Sequence, residues 1–152
     1  MATKLPMPGP GCFQWNTGGW FGSQLGGTAW MLVGAVVIVP HAPEVAGVWL
    51  VCFAVANAVG SWLWCRRDRL RPYPALQVLL LACGANSLMA LVALHVLRPG
   101  LRIPGPRGIR LADEPHFIPW YLVLVISLMT YFHLMERSAK KERSRSERQP
   151  SA

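Results

Sequence analysis

Charge is what this sequence has least of. Only 14% of its 152 residues are Asp, Glu, Lys or Arg, against about a quarter in soluble domains. A water-facing globule needs more charge on its surface, so an ordinary soluble domain is excluded. Acidic residues are the scarcer sign, at 7 against 15 Lys and Arg. None of the four charged types falls inside any of the long apolar runs described below. A proton-coupled exporter usually needs a buried carboxylate, and the lack of one counts against that class. There is no C-x-x-C among the four cysteines, so no dithiol for thiol oxidation is visible. Cys12, Cys52, Cys65 and Cys83 are expected to be free thiols behaving as small hydrophobes. No Ser/His/Asp arrangement, nucleotide loop or metal motif is present.

Apolar residues fill the space that charge leaves, at 53% of the chain with a mean hydropathy of +0.32. That much apolar surface excludes disorder over most of the length. A bilayer's hydrocarbon core is about 30 Å thick and takes roughly 20 apolar residues as a helix. Four runs qualify, at about 18–39, 45–64, 75–97 and 117–135. Prolines punctuate them: Pro40 and Pro43 after the first, Pro72 and Pro74 before the third, Pro99 after it, and Pro119 in the first turn of the fourth. The expected fold is an all-α, four-helix transmembrane bundle over 17–135. The first run is the shortest in its apolar core, so three spans with an interfacial or re-entrant first segment is the alternative. Around the bundle lie a leading segment at 1–16, a Pro/Gly/Arg loop at 98–116 and a basic tail at 136–152. No apolar stretch near Met1 reads as a cleaved signal, so the first span is expected to be a retained anchor.

The cations set an orientation. With the N-terminus in the cytoplasm, eleven of the fifteen Lys and Arg fall inside, including Arg66, Arg67, Arg69 and Arg71 and six in the tail. Arg98, Arg102, Arg107 and Arg110 fall outside. The positive-inside rule favours this arrangement, with both termini cytoplasmic. Arg in excess of Lys suggests a GC-rich bacterial genome, hence an inner membrane. The high pI of about 10.1 then records topology. Nucleic acid is not an expected partner, since the tail has no aromatic residues to stack on bases. Anionic lipid headgroups are the expected contact of the tail. Trp15, Trp20, Trp62, Trp64, Trp120 and Tyr121 read as aromatic belts at the span ends, and Trp30 and Trp49 as core rings.

Two patterns inside the spans are candidate sites. Gly18, Gly22 and Gly26 are spaced by four, and Gly19, Ser23 and Gly27 form a second row. Small residues at this spacing let helices approach closely in lipid. The contact is either with a helix of this chain, which is preferred, or with a second copy or a membrane partner subunit. A flexible Gly-rich leading loop is a third reading. The second pattern is polar: Gln24, Asn57 and Asn86. Gln24 and Asn57 lie six and seven residues from the same membrane face, about 10 Å deep, and could share a hydrogen bond. Asn86 lies about a turn deeper. Asn57 is expected on a face with Ala46, Leu50, Ala54 and Ser61, and Asn86 with Leu79, Ala82, Ala90 and Ala93. Their plain role is structural glue.

No cofactor is expected. A haem or metal would have to use His41, His95 and His116 near the outer face, while His133 is read as an interfacial hydrogen-bonding group, with Glu136 one turn on. The expected function is a non-enzymatic, helix-packing or accessory component of the membrane. A small transporter, or a haem or redox protein using the in-span Asn and outer His residues, is the alternative.

Overall fold

The computed structural model describes residues 13–103, 109–110 and 117–146. Cys12, Arg107, His116 and the residues at the two chain ends lie outside them. Four helices account for nearly all of the described chain: α1 Thr17–Ile38, α2 Pro43–Cys65, α3 Pro72–Leu97 and α4 Phe117–Ser146. All four are long and apolar enough to cross a membrane. In lipid every backbone N–H and C=O must find a partner within the segment, and a helix provides that. The chain is an all-α, four-helix membrane fold.

Local sequence sets the helix ends. Asn16 caps α1, its side-chain oxygen accepting the Gly19 N–H at 3.2 Å, which satisfies one of the free donors of the first turn. Pro43 and Pro72 open α2 and α3, where a missing N–H costs nothing. Helix α3 therefore starts earlier than the run at 75, and both of its prolines lie within the first turn. Gly100 has a positive φ of 75°, which glycine adopts without strain, and it turns the chain after α3. Beyond it the Pro/Gly/Arg loop holds a short antiparallel ladder between β1, Arg102–Ile103, and β2, Ile109–Arg110. Helix α4 continues past the apolar run and carries the basic tail as far as Ser146.

The helices run up and down. One end, here the proximal end, gathers the start of α1, the end of α2, the start of α3 and the later half of α4. Trp15, Trp20 and Trp64 cluster there. The distal end holds the α1–α2 turn and the end of α3, where Arg98 donates to Glu44 across the helices. Glu44 stands in the first turn of α2 and Arg98 at the C-cap of α3, each beside the helix-dipole end that favours its charge. The Glu44 hydrogen bond raises the Arg98 guanidinium above its usual pKa.

The core has two halves. Met31, Ala35, Ile38, Val45, Ala46, Trp49, Cys52, Ala90 and Leu94 fill the distal half. Trp20, Ala56, Leu63, Ala75, Leu79 and Cys83 fill the proximal half. Every core residue here belongs to α1, α2, α3 or the α1–α2 turn. Helix α1 is unbroken and lies lengthwise on α2, from Trp20 against Gly60 to Ile38 near Val45. An interfacial or re-entrant first segment does not fit that geometry. Helix α4 packs mainly on α3, with Val125 against Gly84 and His133 against Tyr73, while Phe132 also meets Phe13, just before α1, edge-on at 5.3 Å. Most of its apolar side chains are exposed, Trp120 at 72%.

Candidate functional site

The most extensive polar network among the described residues joins α1 to α2. Gln24 is 2% exposed and Thr28 is fully buried. Both project from α1, one turn apart, toward Asn57 of α2. Gln24 Nε2 donates to the Asn57 carbonyl at 2.9 Å and to Asn57 Oδ1 at 2.8 Å. Asn57 Nδ2 donates to Thr28 Oγ1 at 3.1 Å and to the Phe53 carbonyl at 2.8 Å. Thr28 Oγ1 in turn donates to the Gln24 carbonyl at 2.8 Å. The network fixes the Gln24 amide orientation: turned over, its oxygen would face two acceptors. Gln24 Oε1 has no hydrogen-bond donor among the described residues and rests against the backbone of Gly60.

Gly60 makes this junction possible. A Cβ built there would stand 2.5 Å from Gln24 Cδ, far inside van der Waals contact. The Gly60 carbonyl accepts the indole N–H of Trp20 at 3.1 Å. One glycine thus receives a tryptophan and a glutamine from successive turns of α1. A second contact of this kind locks the distal half. The Trp49 ring lies on Gly34, where a Cβ would come within 2.8 Å of Cε3. Its indole N–H donates to the Ala90 carbonyl at 2.7 Å, and Trp30 meets it edge-on at 5.1 Å. Trp49 therefore ties α1, α2 and α3 together.

The glycine rows of α1 take a different place. Gly22 and Gly26 have nothing within 4 Å of a built Cβ and lie on the exposed side with Gly18. Gly18 and Gly19 approach only Asn16, the cap of their own helix. Ser23 is exposed and its hydroxyl donates back to the Gly19 carbonyl at 2.7 Å. Gly27 alone meets another helix, at 3.7 Å from Cys83 Cβ. The glycines that let helices close on one another are Gly34, Gly60 and Gly84, and no spacing rule connects them. Only the partner side chains, Trp49, Gln24 and Val125, reveal them.

Asn86 does not join the junction. Its Nδ2 donates to the Ala82 carbonyl of its own helix at 2.8 Å. The buried face of α2 is Ala46, Trp49, Cys52, Ala56, Gly60 and Leu63, rotated from the expected stripe, and Leu50, Ala54 and Ser61 are exposed. Trp20 also moves: it is a core ring, whereas Trp62 and Trp120 are exposed as belt residues are. His41 is exposed in the α1–α2 turn and His95 is exposed in the last turn of α3. His133 takes Tyr73 as partner, with its Nδ1 2.9 Å from the hydroxyl, which also accepts from Gln77 Nε2 at 2.6 Å. Glu136 pairs with Lys140 instead. Cys52, Cys65 and Cys83 are free thiols. No group of three His, Cys, Asp or Glu side chains able to hold a metal comes together among the described residues.

The junction is made of amides and a hydroxyl, which neither gain nor lose protons near neutrality. Its chemistry is adhesion between helices, at about 0.6–2 kcal/mol per hydrogen bond in a membrane. No family model, curated protein or solved structure matches this chain.

Proposed function

We propose that this protein is a non-enzymatic accessory or assembly component of a bacterial inner membrane, with both termini in the cytoplasm. One observation carries this reading. Helices α1, α2 and α3 form a closed core, while α4 rests on α3 along one side and exposes Trp120, Leu124, Ile126, Tyr131 and Leu134. A core that uses its polar side chains to hold itself together supports a scaffold. Helix α4 and the open Gly18–Gly22–Gly26 side of α1 are the surfaces it offers to a second copy or to a partner subunit. The eleven cations assigned to one side support the orientation, and the basic tail suits anionic headgroups.

Photoreactive side chains at Gly22, Leu124 and Val51 test this in living cells. Val51 is exposed on α2 and serves as the lipid-facing reference. The reading expects protein adducts of defined mass from Gly22 or Leu124 and none from Val51. Equal labelling at all three positions, or lipid adducts alone, would overturn it. A cysteine introduced at residue 105 checks the orientation. It should react with an impermeant label in intact cells, and reaction only after lysis would reverse the topology.

A further inference from the structure

The proximal end carries a cleft that the polar junction does not use. Its volume is about 190 Å³, and Trp15, Gly19, Trp20, Ser23, Leu76 and Phe132 are among its walls. It opens where the starts of α1 and α3 meet α4. The walls are mainly rings and aliphatic carbon. On the wall, Ser23 Oγ and Asn16 Oδ1 are bonded to the α1 backbone, and Gln14 is a further polar wall residue. The cleft is smaller than the roughly 300 Å³ of a drug-sized pocket. Its mainly apolar walls suit hydrocarbon better than a compact polar solute.

The cleft adjoins the cationic α2–α3 turn. Pro72 lines the cleft, and Arg71 directly precedes it. Arg66, Arg67, Arg69 and Arg71 all lie exposed in the α2–α3 turn, with Asp68 the only acid there. Arg66 stacks over Trp62 at 4.4 Å and Arg67 over Trp64 at 5.1 Å. Arg67 Nη1 donates to the Trp64 carbonyl at 3.2 Å, and a guanidinium stacked on an indole face can offer its remaining edge N–H groups to an oxyanion. The side chains of Arg69 and Arg71 have no ion-pair or hydrogen-bond partner among the described residues. Tryptophan and arginine together mark the headgroup level of a bilayer.

We propose that this cleft seats one anionic phospholipid of the adjoining leaflet. Its acyl chain lies along Gly19, Ser23, Leu76 and Phe132, and its phosphate is held by the arginines of the α2–α3 turn. An apolar slot beside a cationic turn matches an anionic amphiphile in both parts. The site differs from the basic tail and does not depend on whether α4 carries a partner.

Native mass spectrometry of the full chain in neutral detergent tests the assignment, with phosphatidylglycerol and phosphatidylcholine supplied in equal amounts. The wild type is expected to retain one phosphatidylglycerol in preference to phosphatidylcholine. Replacing both free arginines, Arg69→Gln with Arg71→Gln, should weaken retention about 30-fold, at the usual strength of two headgroup-level cations. Ser23→Trp fills the slot from an exposed position and should also lower retention, with helicity unchanged by circular dichroism. The tail variant Arg137→Gln, Lys140→Gln, Lys141→Gln should keep the lipid. Equal retention of the two lipids, undiminished binding in Ser23→Trp, or loss in the tail variant as large as in the turn variant would each overturn the proposal.

Discussion

The Gln24 side chain occupies the space that a methyl group on Gly60 would take. This contact decides how closely α1 and α2 approach at the proximal end. It also holds the Gln24 amide where it can donate twice to Asn57. Gly60→Ala is therefore expected to destabilise the fold by about 1–3 kcal/mol, the usual cost of overpacking. Gly22→Ala, with open space around it, should stay within about 0.5 kcal/mol of wild type. Reversible unfolding in mixed micelles measures both. Equal effects at the two glycines would contradict the geometry.

The Gln24–Asn57 pair should show coupling. In a double-mutant cycle with Gln24→Leu and Asn57→Leu, the interaction energy is expected at about 0.6–1.7 kcal/mol, the range for polar contacts between membrane helices. The Asn86 side chain bonds only within its own helix among the described residues, which makes Asn86→Leu the control. Combined with Gln24→Leu it should give additive losses. Coupling of similar size in both cycles would mean that Asn86 belongs to the network.

Trp49 offers a third test. Trp49→Phe keeps a ring on Gly34 and removes the donor to Ala90. The Ala90 carbonyl is then left with only its own helix, and a loss of about 1 kcal/mol is expected. Gly34→Val places carbon into the ring itself and should cost more than Trp49→Phe. The reverse order would show that the indole hydrogen bond, rather than the close approach, holds the distal half together.

Helix α4 should be the first to separate. A hydrogen bond joins it to the core between Tyr73 and His133, beside the close contact of Val125 with Gly84. Removing the hydroxyl in Tyr73→Phe should raise the open population about fivefold, the equivalent of one hydrogen bond of roughly 1 kcal/mol. A Val125→Cys reporter would then react about fivefold faster with a membrane-permeant thiol reagent. An unchanged rate would show that apolar packing alone seats α4.

Much of this fold could be read before any coordinates. Prolines and apolar run lengths marked the first three helices and the start of the fourth to within a few residues, whereas α4 continues well past its apolar run to Ser146. The equal depths of Gln24 and Asn57 pointed to a hydrogen bond between them, because 1.5 Å per residue converts sequence position into depth. The cleft was not legible, since its walls come from the approach to α1 and from α1, α3 and α4. The α1 glycine rows pointed to helix packing by their spacing alone, and within the chain only Gly27 meets another helix.

The sequence by itself determined the order of the apolar runs and the alternating direction of the last three, and left the first as either a span or an interfacial or re-entrant segment. Lipid sets a fixed length and forbids unpaired backbone groups, so these properties follow from composition along the chain. The tertiary structure decided which side of each helix faces inward. Core-facing and lipid-facing side chains are both apolar, so no contrast in polarity distinguishes Trp49 from Leu50 or Gly60 from Gly22. Shape makes that choice: Trp49 fits Gly34, Gln24 fits Gly60, and α4, which finds one such fit at Gly84, remains at the edge of the bundle.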